Sequence, residues 1–133
     1  MYLQPYLFFD GHTEEALDFY KKAVGAEVKM LMRFKEAPDQ SMVSKGSENK
    51  VMHAHFKVGD TDVLISDGRN QGNPKFEGFA LTLQAKDETE AAKFFNALGQ
   101  GGEIGMPLGK TFFAKSFGML KDKFGVNWMV IAN

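Results

Sequence analysis

His53 and His55 stand two residues apart in the run Val51-Met52-His53-Ala54-His55-Phe56-Lys57-Val58. In a strand, side chains two apart share a face. Two imidazoles on one face offer a divalent metal two nitrogen donors, or a substrate an acid and a base near neutral pH. The same spacing has a plainer meaning. Lys57 shares that face, while Met52, Ala54, Phe56 and Val58 form an apolar alternation opposite, so the histidines would look toward water. Both readings stay open. His12 precedes a helix start and reads as exposed. Later in the chain, Phe113, Lys115 and Phe117 alternate within Thr111 to Gly118. A lysine between two rings suits an anionic ligand with an apolar body, and equally suits a surface lysine laying its stem along apolar neighbours.

Other chemistries lack a handle. There are no cysteines, so disulfides, thiolate catalysis and thiolate-bound zinc are excluded, and a reducing cytoplasm is the expected address. Ser41, Ser44, Ser47, Ser66 and Ser116 are scattered, and none sits in a Gly-x-Ser-x-Gly elbow. Net charge is -1, without the basic stripe that nucleic acid calls for. No apolar run approaches the roughly 20 residues that span a bilayer, so no membrane partner is expected. Met1-Tyr2-Leu3-Gln4-Pro5 lacks the basic start and apolar run of a signal peptide. With 13 Phe and eight Met, the chain has bulky apolar side chains enough for a core, a cavity lining, or both.

The elements that would position these residues come in two similar sets. Ala16, Phe19, Tyr20, Ala23 and Val24 recur at helical spacing, as do Ala91, Phe94, Phe95 and Leu98. Thr13 reads as an N-cap for the first helix, with Glu14 and Glu15 in its first turn. Asp87 with Glu90 resembles a capping box for the second. Gly25 and Gly99 stand where a C-terminal glycine belongs. Glu15-Ala16 with Phe19-Tyr20 answers Glu90-Ala91 with Phe94-Phe95 at a constant offset of 75 residues. An apolar strand precedes each helix, Leu3 to Phe9 and Phe79 to Ala85. Three strands follow each, about 26–34, 51–58 and 61–66, then about 102–106, 112–118 and 126–132, with Asp60-Thr61 as a tight turn. The spacing predicts an α+β fold of two β-α-β-β-β modules, with an unrelated single-copy α+β sandwich as the alternative. One domain, 1–133, would comprise modules 1–67 and 77–133 joined by loop 68–76. The polar stretch 35–50 is either a mobile surface loop or a lid.

This plan resembles the vicinal oxygen chelate superfamily, which includes glyoxalase I, bleomycin-resistance proteins and extradiol dioxygenases, and the resemblance implies that the two modules form curled mixed sheets. The wording is similar to its PhnB-like branch. Pro5-Tyr6-Leu7-Phe8-Phe9-Asp10-Gly11 runs into Glu15-Ala16-Leu17-Asp18-Phe19-Tyr20 and Gly25-Ala26. Val51-Met52-His53-Ala54 with Gly59-Asp60, and Asp122-Lys123-Phe124-Gly125-Val126-Asn127-Trp128-Met129, follow suit. That branch also carries a demethylubiquinone methyltransferase-like label. The sequence gives that chemistry no support, for no glycine-rich turn links a parallel strand to a helix.

The resemblance implies metal ligands on the first, fourth, fifth and eighth strands. These positions fall at Gln4 or Pro5, between Leu64 and Ser66, at Phe79 and at Met129. Phe79 cannot ligate, and Met129 suits a hard divalent ion poorly. No metal and no cofactor is therefore expected, and catalytic residues stay unassigned. The reading is a small-molecule-binding protein of unknown ligand, with Gln4, His53, Ser66, Phe79, Phe113, Lys115 and Met129 as ligand-binding candidates. Met129 is expected to face the pocket and Trp128 to pack against a helix. The resemblance also implies a homodimer. The alternative is a metal-dependent lyase, isomerase or dioxygenase with a displaced site near His53 and His55.

Overall fold

The computed structural model describes residues 1–68 and 74–133, with Met42 described in its backbone alone. It contains two units, Met1–Pro74 and Lys75–Asn133. Most of the expected connection 68–76 falls on residues 69–73, outside the described ones.

The first unit runs β1 (Tyr6–Phe8), α1 (Thr13–Val24), β2 (Glu27–Arg33), β3 (Val51–Val58) and β4 (Thr61–Ser66). The second runs β5 (Leu81–Ala85), α2 (Glu88–Leu98), β6 (Glu103–Gly109), β7 (Ser116–Lys121) and β8 (Asn127–Ala132). The sheets share one order, β1-β4-β3-β2 and β5-β8-β7-β6, with the outer pair parallel and the rest antiparallel. These are the two β-α-β-β-β modules that the sequence spacing predicts.

Each sheet buries one face under its helix. In the first unit Ala16, Leu17, Tyr20, Ala23 and Val24 of α1 are buried, as are Leu7, Ala54, Phe56, Val63 and Ile65 of the sheet. The Tyr20 ring stacks on Phe56 at 5.8 Å. In the second unit Ala91, Phe95 and Leu98 are buried, as are Leu120, Trp128, Val130 and Ala132. Each large apolar side chain so buried contributes about 1.5–3 kcal/mol. Alternation then turns the partners of these residues to the other face.

Several boundaries differ from expectation. Thr13 is the first helical residue, His12 is the N-cap, and no side chain of that cap bonds the helix. The buried Asp67 carboxylate supplies the missing acceptor. Its Oδ1 takes the Gly11 and Thr13 amides at 2.9 and 3.0 Å, and its Oδ2 takes the Val51 amide at 2.8 Å. Asp87 does cap α2, accepting from the Glu90 amide at 2.8 Å. Gly25 closes α1 in the left-handed conformation, whereas Gly99 remains right-handed. Val58 pairs with Thr61, so the tight turn is Gly59-Asp60, and Thr61 already belongs to β4. Phe79 lies before β5.

The seventh strand starts four residues later than expected, at Ser116. The Thr111 hydroxyl accepts the Ala114 amide at 3.1 Å, and the Thr111 amide donates to the Ala114 carbonyl. This local turn competes with strand pairing. Phe113 and Lys115 therefore leave the strand alternation, although the Phe113 and Phe117 rings still meet at 5.1 Å.

Segment 35–50 has its own architecture. It carries 3-10 turns at Phe34–Glu36 and Gln40–Met42. The Gln40 side-chain amide donates to the carbonyls of Phe34, Lys35 and Ala37. The Lys50 ammonium reaches Asp10 at 2.9 Å.

Candidate functional site

On the first unit, the sheet face away from α1 carries the chemistry. Leu7 and Ile65 are buried under the helix, so Tyr6 and Phe8 on β1, and Asp62, Leu64 and Ser66 on β4, turn the other way. Ala54 and Phe56 are likewise buried, which places His53, His55 and Lys57 with them. Met30 lies opposite His55 and Met32 opposite His53.

Both histidines have partners on this face. The Tyr6 hydroxyl lies 2.9 Å from His53 Nδ1, and the Tyr6 and Phe8 rings stack at 4.8 Å. Burial raises the Tyr6 phenol above the usual tyrosine range, and a hydrogen bond from Ser66 offsets part of that rise. The Ser66 hydroxyl is buried and accepts the Gly68 amide at 2.8 Å. His55 Nε2 lies 3.0 Å from Asp62 Oδ1, without the alignment that a hydrogen bond requires. Gln4 is half-buried just before β1. Gln4, His53 and Ser66 thus lie on one unit, His53 and Ser66 on one face.

The second unit holds a pocket of about 460 Å³, within the usual range for small-molecule sites. Phe79, Ile104, Met119 and Met129 supply apolar walls, and Glu103 and Lys121 supply charge. Trp128 is buried, its indole N–H donating to Asp122 at 2.9 Å. Phe113 and Lys115 do not join this pocket. They line a separate hollow of about 290 Å³ with Phe112 and Asn133.

The residues at the superfamily's ligand positions do not fit a divalent metal. Phe79 has no donor atom, and the Met129 thioether is a soft ligand lying 3.9 Å from the Thr82 hydroxyl. Among the described residues, no three His, Asp or Glu side chains gather as metal ligands. A methyl donor of the adenosyl type finds no match either. At the start of α1 the Gly11 and Thr13 amides already serve Asp67, and at α2 the Glu90 amide serves Asp87, so these donors are taken by the chain's own carboxylates.

Sequence reasoning missed Tyr6 and Asp62. Tyr6 had a signal, since it alternates with Gln4 and Phe8. Asp62 becomes visible only through hairpin register, in which His55 faces Leu64 and Lys57 faces Asp62.

Residues 2–131 match the family described as 3-demethylubiquinone-9 3-methyltransferase. The chain is 32% identical to Protein YjdN of Escherichia coli (strain K12), covering 98% of this chain and 94% of that one. Among solved structures it is similar to protein PA1353 from Pseudomonas aeruginosa, at 35% identity and a TM-score of 0.90, covering 100% and 98% of the two chains. It is also similar to the PhnB protein from Bacillus cereus, at 30% identity and a TM-score of 0.83, covering 100% of both. The fold alone is shared with a glyoxylase/bleomycin resistance protein/dioxygenase domain from Frankia sp. EAN1pec, at 13% identity and a TM-score of 0.70, covering 100% and 92%.

Proposed function

We propose, for a chain that belongs to the PhnB-like family described as 3-demethylubiquinone-9 3-methyltransferase, the role of a metal-independent small-molecule-binding protein. The observation that carries this reading is the pocket of about 460 Å³ walled by Phe79, Ile104, Met119 and Met129. Apolar walls with a few charged groups at hand suit a compound that is mostly hydrocarbon with one polar end. The methyltransferase description is not carried over as an activity, because no glycine-rich turn between a parallel strand and a helix is there to hold a methyl donor.

The test is a fragment panel watched through the methionine methyl signals. Fragments should move Met119 and Met129 in the wild-type protein, and Met129→Lys should abolish the effect. A panel that leaves both methyls unmoved at millimolar concentration would overturn the reading.

A homodimer in the cytoplasm completes the proposal. Phe79, Ile104, Met106, Phe112 and Phe113 are exposed large apolar side chains on one unit, and such surface is commonly covered by association. Sedimentation at micromolar protein should return about twice the mass of one chain.

The second reading, a metal-dependent lyase, isomerase or dioxygenase, draws on the half-buried His55 beside Asp62. It requires a third donor that the described residues do not bring to that pair.

A further inference from the structure

We propose that Met30, Met32, His53 and His55 form a binding site on the first unit for one soft monovalent cation, Cu(I). The site is separate from the second unit's pocket, and neither reading depends on the other. It also differs from a divalent catalytic centre near the histidines, because half of its donors are thioethers.

The sheet order is β1-β4-β3-β2, so β3 has β4 on one side and β2 on the other. Three consecutive pairs join β2 to β3 in regular register: Met30 with His55, Leu31 with Ala54, and Met32 with His53. Ala54 is buried on the α1 side of the sheet, so the two outer pairs turn to the opposite face. Residues opposite one another across a sheet have β-carbons about 5 Å apart, and residues two apart along a strand about 7 Å. The four β-carbons therefore mark a small rectangle, and each of these side chains is long enough to reach its centre. Met30 is exposed and the other three residues are half-buried, so an ion can enter.

The contacts of the two histidines leave one nitrogen of each ring available. His53 Nδ1 lies 2.9 Å from the Tyr6 hydroxyl, and His55 Nε2 lies 3.0 Å from Asp62 Oδ1. Tyr6 is on β1 and Asp62 on β4, so both oxygens come from the β4 side of β3. The two nitrogens of an imidazole point in widely different directions. With one held toward β4, the other is left for the β2 side, where the methionines stand. Among the described residues, Nε2 of His53 and Nδ1 of His55 have no hydrogen-bond partner. Asp62 would then stand behind His55 as the carboxylate that commonly orients a ligating histidine. Thioethers prefer soft ions, and imidazole suits copper as well as zinc, so the mixed set selects copper in its soft, reduced form. Lys57 stands opposite Asp62 on the same face and balances its charge, which leaves no excess of negative charge to favour a divalent ion.

Silver(I), a redox-inert stand-in for Cu(I), tests this on the whole chain in chloride-free buffer at mildly alkaline pH, where the histidines are neutral. One equivalent of silver nitrate should move the methyl signals of Met30 and Met32 and the ring nitrogens of His53 and His55. Zinc at the same concentration should leave both methyls in place. Met30→Leu combined with Met32→Leu keeps volume and apolar character, and should weaken silver binding about tenfold or more. Asp62→Asn should weaken it about tenfold, the usual cost of losing a partner behind a ligating histidine. Wild-type protein whose Met30 and Met32 methyls ignore silver would overturn the proposal. So would a double-leucine variant that binds silver as tightly as the wild type, or a zinc response equal to that of silver. Fragments that moved Met119 and Met129 in any of these events would leave the pocket reading standing.

Discussion

Asp67 does more for this molecule than its place in a turn-rich stretch suggests. Its carboxylate is buried and takes three backbone amides, from Gly11, Thr13 and Val51. It ties the end of β4 to the start of α1 and the start of β3. Removing the acceptor leaves buried amides without a partner, at about 1–3 kcal/mol each. Asp67→Ala should therefore lower stability by about 3 kcal/mol in urea unfolding. The sequence hid this because Asp before Gly68 reads as a turn residue, and two of its partners lie more than fifty residues away. Charge on the surface is more modest. The Arg33 guanidinium meets the Glu14 carboxylate at 2.7 Å, and that hydrogen bond holds Glu14 below the usual carboxylate range. A depressed folded-state value means the stabilisation is present above the unfolded value of 4.5 and is lost as pH falls through the lower, folded one. A urea series should show wild-type protein above Glu14→Gln at neutral pH. The two curves should merge in acid, and salt should narrow the neutral gap because the pair is exposed.

The helices were legible because an apolar stripe at period 3.6 survives any small error in its ends. Strands depend on one-residue alternation, and a local turn can end one without changing that pattern. The Thr111 hydroxyl does this, and so Phe113 and Lys115 sit in a loop with their own hollow. Met129 and Phe79 were placed by resemblance, and both border the pocket of the second unit. What one sequence could not reveal is close approach between elements. Gly118 on β7 shows the point. A β-carbon there would stand 2.6 Å from a Phe95 ring carbon of α2 and 3.0 Å from the Leu108 α-carbon. Phe95 is itself buried, so its ring has little room to give. Gly118→Val should push helix and sheet apart and cost about 1–3 kcal/mol, read as a lower thermal midpoint. Phe95→Ala should recover part of that loss when combined with it.

Across the whole chain, the repeat is written twice in topology but not in detail. Both modules order their strands alike. Yet α1 is capped from a distance by Asp67, and α2 locally by Asp87. The proposed metal-independent role makes a prediction at this scale. Zinc, nickel, manganese and iron(II) should each leave the thermal midpoint unmoved. A site with Kd a hundredfold below the metal concentration would add about 2.7 kcal/mol, which calorimetry would detect easily. The borders of the sheets carry a consequence of another kind. β1 is only three residues long, and the border strand β6 contains Pro107, which has no amide hydrogen to offer a newcomer. Fibril growth by adding strand to strand is thus discouraged at one border of each sheet. The molecule can expose large apolar side chains at cellular concentrations with less risk of seeding cross-β polymer.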